Sequence, residues 1–544
     1  MRGSIHRITA LLALCTACAG DNGAAPGSDT GGTLLIALPV EPSTLFPPLL
    51  RDLQDREISN QMFDVLADIG PDLNTIGDAG WTPRLAESWQ WSDDSLSITF
   101  RLHPAARWHD GRPVTSGDVR FSVALNKDPA VGSRLTRALA DVDSVSTPDS
   151  MTAVVWYARR SPEQFYNVAY NVAVLPEHLL RDADRATLRT HPFVRNPVGS
   201  GPFRFVRWES RSVVEVEADT GYYLGRPFLD RVIWMLNPEP NAALVNVLAG
   251  EVDVFENLTT DGLARVTNQD VVNAASYTNL NYGYLGFNFR DPKNPDRPHP
   301  LFADRALRRA IAMALNRPLL VANVYDSLAR IGAGPFSRRF PTADTTLTIV
   351  GFDSAGADRL LDSLGWKDSN GDGVRDRNGR PLRFGVMFPS VSVPRQRFAE
   401  LIQAQLKPHG IQVDVDGAEI TVFGPRVFGG QFDAIINNWG LDPSPSGVRD
   451  QWHTMPAKSR ASNLQSYSNP AVDAAIDSAI IEWDPERSRA LYRRAYQTIS
   501  DDVAAVWLFE LTPMMAINRR VRADLSAPDV WWRNLRLWSI PANR

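Results

Sequence analysis

No cysteine follows Cys18 in this chain of 544 residues. The body that comes after is therefore held without disulfides and has no thiol chemistry, so apolar burial and backbone hydrogen bonding must stabilise it. Cores seldom grow past ~250–300 residues before a chain divides, so the length predicts several folding units. No run of 18 or more apolar residues occurs, which excludes a chain that crosses a membrane repeatedly. Hydrophobic residues at 44% and charged residues at 22% are ordinary globular usage, which excludes a wholly disordered, collagen-like or coiled-coil chain. With 57 basic residues against 62 acidic ones, no basic excess points to a nucleic-acid partner.

The two cysteines sit in a segment with its own pattern. Arg2, His6 and Arg7 form a short positive stretch, an apolar run follows from Ile8 to Cys15, and Thr16-Ala17 leads to Cys18. A charged start, an apolar stretch too short to span a bilayer and small residues before a cut describe an export signal. Leu14-Cys15-Thr16-Ala17-Cys18 resembles a bacterial lipobox, in which the cysteine after a small residue is lipidated and becomes the first residue of the mature protein. Cys18 fits that role because Ala17 precedes it; Cys15 would cut the apolar run short. Residues 1–17 are then a lipoprotein signal peptide, and 18–32, rich in Gly, Ala, Asp and Ser, a flexible tether. A conventional cleaved signal stays open.

Along the body, short strands and helices alternate. Leu96, Ile98, Phe100 and Leu102 alternate with polar residues as in a half-buried strand. Thr115, followed three residues later by Asp118, is a helix start of the capping-box kind. A short helix is expected over 58–66, a strand pair over 201–218, and an alternation of aromatic and small residues over 282–289. Beyond residue 341 the order helix (355–364), charged turn (368–379), strand (382–388), helix (393–406), strand (411–416) and strand (432–437) reads as an α/β lobe.

Local patterns accumulate in one order. Leu85-Ala-Glu-Ser-Trp89, Trp108-His-Asp-Gly-Arg-Pro113, Asn196-Pro-Val-Gly-Ser-Gly-Pro-Phe203, Gly250-Glu-Val-Asp253, Tyr284-Leu-Gly-Phe-Asn288, Phe432-Asp-Ala434 with Trp439, and Tyr467-Ser-Asn-Pro470 resemble extracytoplasmic solute-binding proteins of ABC transporters. The match is to the large peptide/nickel-type group, bacterial solute-binding family 5, and spans nearly the whole chain after the tether. The resemblance implies an α/β, periplasmic-binding-protein-like clamshell of two lobes with an additional inserted subdomain. By analogy, residues 33–75, 199–285 and 505–544 form lobe one, 76–198 the inserted subdomain and 286–504 lobe two, with hinges near 285–290 and 500–506.

In peptide-binding members an aspartate three residues after the matching tryptophan pairs with the ligand's α-ammonium, which places Asp442 and Trp439 in the ligand site. Both stand where an apolar strand gives way to the irregular segment 440–447, and loops on a rigid scaffold commonly carry binding residues. Pro445 stands where many members have a second acid, and Asp442 as a turn residue before Pro443 is the competing reading. Asn437 and Asn438 could bond a ligand backbone. Tyr282, Tyr284 and Phe287 offer aromatic surface, with lobe-core packing as the alternative, and Phe46 and Asn60 are further candidates on lobe one. Trp108-His109-Asp110-Gly111 reads as structural. Asp368, Asn370, Asp372 and Asp376 have calcium-loop spacing, yet Gly379 occupies the twelfth position where a bidentate acid is needed, so a solvated turn is the better reading. The histidines lack metal-ligand spacing, so neither a metal nor another cofactor is expected.

No nucleophile elbow, zinc-protease helix, phosphate loop or dinucleotide motif appears, so the chain is expected not to be an enzyme. The leading expectation is a monomeric, lipid-anchored receptor, in the periplasm or on the outer face of the cytoplasmic membrane. It would capture peptides or similar small solutes and pass them to an ABC permease and its ATPase subunits. A surface or sensory lipoprotein without transport is the alternative, and so is a receptor for oligosaccharides, opines or nickel chelates.

Overall fold

A computed structural model describes residues 30–456 and 462–541. Cys15, Cys18 and most of the expected tether lie outside them. Among the described residues no helix is long and apolar enough to cross a membrane.

Three sheets organise the chain. The first has seven strands in the order Val272–Ser276, Met514–Asn518, Val254–Phe255, Thr33–Leu38, Arg231–Leu236, Val213–Ala218, Phe203–Glu209. Thr33–Leu38 is parallel to both its neighbours, and the other pairs are antiparallel. Leu34, Ile36 and Leu38 point into a core shared with Trp531, Leu535 and Trp538 of the C-terminal segment.

The second sheet has six strands in the order Ala329–Ile331, Ala505–Leu511, Asn281–Phe287, Ala434–Gly440, Arg383–Pro389, Gln412–Ala418. The last three are parallel. Parallel neighbours need a crossover, and helix Val393–Leu406 supplies it, burying Phe398, Ala399, Ile402 and Leu406 on the sheet. Helix Arg305–Ala314 is capped by Asp304, which accepts from Ala306 N and Leu307 N. Gly283 explains the alternation of large and small residues in its strand, since a Cβ there would lie 2.2 Å from the ring of Phe509.

The third sheet is antiparallel, in the order Ala86–Trp91, Ser97–Leu102, Thr152–Tyr157, Val142–Asp149. Helix Ser116–Lys127 packs on it and begins with the expected capping box of Thr115 and Asp118. His109 ties this subdomain to the first lobe, its ring nitrogens bonding Gly201 O at 3.0 Å and Gly199 N at 3.2 Å. Burial pushes the imidazole below its ordinary pKa, as suits a structural group. The result is a mixed α/β two-lobe fold with an extra subdomain.

The chain passes from the first sheet to the second between Ser276 and Asn281, and returns between Leu511 and Met514. The two passages run side by side, with Tyr277 N donating to Pro513 O at 3.2 Å. The expected hinges near 285–290 and 500–506 instead overlap two strands of the second sheet, Asn281–Phe287 and Ala505–Leu511. The alternation over 282–289 identifies a strand, but not the sheet it joins. The helix expected over 58–66 lies earlier, at Leu53–Met62, because Asp52 and Asp55 form a capping box that starts it sooner. On the buried face of that helix Glu57 accepts from Trp234 Nε1 at 2.6 Å. Burial, and then the charge of Glu256, push Glu57 well above the usual carboxyl range.

Candidate functional site

In open α/β sheets, ligands gather beyond the carboxyl ends of the strands. In the second sheet that edge is formed where Arg383–Pro389, Gln412–Ala418 and Ala434–Gly440 end. Asn437, Asn438 and Trp439 close the last of these strands, and Asp442 follows two residues beyond it.

Asp442 is the point where three parts of the fold meet. Its Oδ1 accepts from Arg56 Nη1 at 2.7 Å and its Oδ2 from Arg134 Nη1 at 3.2 Å, with Arg56 Nη2 at 3.4 Å. Arg56 comes from helix Leu53–Met62 of the first lobe, and Arg134 from the segment after helix Ser116–Lys127 of the inserted subdomain. Burial by itself would raise the Asp442 pKa, but Arg56 and then Arg134 outweigh it and hold the carboxyl well below the usual range. Asp442 raises Arg56 in turn. Arg134 is pushed down, by burial first and then by Arg56.

Further contacts line the same seam. Ser444 Oγ bonds both oxygens of Glu163, at 2.7 and 2.8 Å, and Thr75 Oγ1 donates to the same carboxyl at 2.6 Å. Arg137 pairs with Asp450 at 2.9 Å, and the guanidinium of Arg160 lies 4.7 Å over Trp483. Arg395, in the first turn of helix Val393–Leu406, donates to Asn438 Oδ1.

The other expected site residues divide. Trp439 is half-buried opposite Tyr282, and Asn437 Nδ2 lies 3.5 Å from Tyr284 Oη. Asn60 is exposed one helical turn beyond Arg56, and so on the same face. Tyr282 and Tyr284, by contrast, belong to the core of the second lobe at 1% and 0% exposure. The Tyr282 hydroxyl donates to Gln451 Oε1 at 2.5 Å and accepts from Trp452 Nε1 at 3.2 Å, leaving little to offer a solute. Phe287 packs 4.8 Å from Phe302, and Phe46 lies edge-on to Phe193 at 5.8 Å in the first lobe. Tyr282 and Tyr284 face one core, Phe287 the core on the other side of the same strand and Phe46 the core of the first lobe, so all four rings point into packing and not into the cleft.

The Asp368 loop closes on itself. Asp368 accepts from Gly371 N at 2.7 Å and Gly373 N at 2.9 Å, Asp372 accepts from Asn370, and Asp376 accepts from Ser369. Among the described residues no group of three or more His, Cys, Asp or Glu side chains is placed to hold a metal. Two small depressions, with empty volumes of about 170 and 240 Å³, lie beside Glu41 and Trp208 and beside Arg317 and Trp507, away from Asp442.

Arg56, Arg134 and Glu163 escape a reading of the sequence. Asp442 is 386 residues from Arg56 and 308 from Arg134, and no local pattern joins residues so far apart.

Residues 80–458 match the family model described as bacterial extracellular solute-binding proteins, family 5. The chain is similar to the oligopeptide-binding protein AppA of Bacillus subtilis, at 28% identity over 96% of each chain. It is also similar to a probable D,D-dipeptide-binding periplasmic protein, DdpA, of Escherichia coli, at 25% identity over 91% of this chain and 92% of the relative. The solved structure of the Bacillus protein with a nonapeptide superposes with a TM-score of 0.79 at 25% identity, covering 95% of this chain and 100% of that one. The fold also matches NikZ of Campylobacter jejuni in complex with Ni(L-His), with a TM-score of 0.80 at 22% identity, covering 94% of this chain and 99% of that one.

Proposed function

This chain belongs to the bacterial extracellular solute-binding proteins of family 5, and from that premise we propose that it captures peptides or similar small solutes between its lobes and delivers them to an ABC permease. Binding and not catalysis is the work of this family. The observation that carries the reading is the seam at Asp442, where side chains of both lobes and the inserted subdomain converge at the carboxyl ends of parallel strands. The two adjacent passages between the sheets supply an axis on which such a seam opens and closes. The oligopeptide- and dipeptide-binding names of the relatives favour peptides over other solutes.

The lobes divide by their sheets: 33–75, 199 to about 277 and 513 onward in lobe one, 76–198 as the inserted subdomain, the intervening chain in lobe two. Asp442, Trp439, Asn437, Asn438 and Asn60 face the solute. Cys18 carries a lipid after removal of residues 1–17, and residues 18–32 hold the monomeric receptor at the outer face of a membrane, beside the permease and its ATPase subunits.

Native mass spectrometry of the protein purified without unfolding tests the ligand class. A ladder of co-purifying masses that fit short peptides is expected. A single sugar mass, or a nickel chelate, refutes the peptide reading.

A further inference from the structure

The seam at Asp442 carries more positive than negative charge in direct contact. Asp442 is the acid within ion-pairing distance of both Arg56 and Arg134 among the described residues. Its two oxygens already hold three guanidinium contacts. Glu163 gives neither arginine a partner, since its carboxyl is taken up by the hydroxyls of Thr75 and Ser444. Arg56 Nε is buried without a hydrogen-bond acceptor. A ligand ammonium that approached Asp442 would therefore meet two guanidiniums on the same carboxylate. Displacing one of them leaves that arginine without an anion, and sharing the carboxylate with both crowds three cations around it. Like charges at contact are costly, so the ligand must bring an anion of its own close to its amine.

We propose that Arg56 and Arg134 are specificity residues that select solutes carrying a carboxylate next to their amine, such as a peptide whose first residue is acidic. This rests on the reading that Asp442 lies in the solute cleft. The amine takes Asp442, and the neighbouring carboxylate takes the guanidinium it displaces. Arg134 is the better candidate for that exchange. Its side chain is 40% exposed against 23% for Arg56, and its bond to Asp442 is the longer of the two at 3.2 Å. The fork of a guanidinium matches a carboxylate in two parallel bonds, which adds geometric selection to charge.

Isothermal titration at low ionic strength, with aspartyl-trialanine and asparaginyl-trialanine as probes, tests the idea. The two peptides differ by one charge beside the amine. The aspartyl peptide is expected to bind about five- to tenfold more tightly, with the ratio shrinking as salt is added. Arg134→Gln should bring that ratio below about two, because the pair that discriminates is gone. A thermal melt of the same variant establishes that it is folded. Equal affinities in the unmodified protein, or an undiminished ratio in the variant, overturn the proposal and leave peptide capture standing. Binding of neither peptide at millimolar concentration overturns peptide capture itself, and this proposal with it.

Discussion

Asp442→Asn removes the charge at the seam and nearly preserves its shape. Three contacts depend on that charge: Arg56 at 2.7 and 3.4 Å, and Arg134 at 3.2 Å. A hydrogen bond to a charged group contributes about 1.5–3 kcal/mol when shielded, while an exposed ion pair contributes only about 0.2–1 kcal/mol. Asp442 and Arg134 are each 40% exposed and Arg56 23%, so the lower range governs Arg134 and an intermediate value governs Arg56. A sum of about 1.5 kcal/mol follows, or roughly a tenfold fall in the ratio of closed to open molecules. The body after Cys18 contains no cysteine, so one can be introduced on each lobe and labelled for single-molecule energy transfer without interference. The variant should show the long-distance population growing at the expense of the short one. An unchanged ratio, or a shift toward closure, would refute the view that this carboxylate holds the lobes together. The effect should persist between pH 7 and 4. The depressed carboxyl loses its contribution only as pH falls through a value well below the ordinary one.

Other expectations follow from the geometry. Thr115→Ala should destabilise the protein by about 1 kcal/mol in urea unfolding, since it removes half of a capping box; no loss would mean that Asp118 caps the helix alone. Adding calcium should leave the melting temperature within about 1 °C, because binding raises it only where ligands are free, whereas the Asp368 carboxylate already accepts two backbone N–H groups; a saturable rise would reinstate a calcium loop. Burial pushes Glu256 up to about 7, beside the raised Glu57. The folded state therefore binds more protons than the unfolded one between ~4.5 and about 7, and stability should fall as pH rises across that window. Glu256→Gln should flatten this dependence in melts at several pH values, and an identical slope would contradict it.

Much of the fold was legible from local patterns. The Thr115–Asp118 spacing marks a helix start whatever surrounds it, and helix Val393–Leu406 spans the residues expected of it. Which face of a strand meets the cleft was not legible. Tyr282 and Tyr284 have the spacing of a binding stripe and of a core stripe alike, and only the distant rings packed on them, Trp452 and Trp507, decide. The site was half legible. Asp442 stands out beside Trp439 because both sit in one short segment. The arginines that set its charge come from other parts of the fold, and nothing near Arg56 or Arg134 in the sequence distinguishes them from other surface arginines.

Met514–Asn518 lies inside the first sheet, between Val272–Ser276 and Val254–Phe255, although it is the last strand among the described residues. A ribosome delivers residues in order, and a sheet missing an interior member cannot bury its faces. The first lobe must therefore wait, with its other six strands already synthesised, until residues 514–518 appear. The strand that closes the first lobe thus follows both its sheet neighbours by more than 230 residues, and that lobe is locked by a part of the chain made only after every strand of the second sheet.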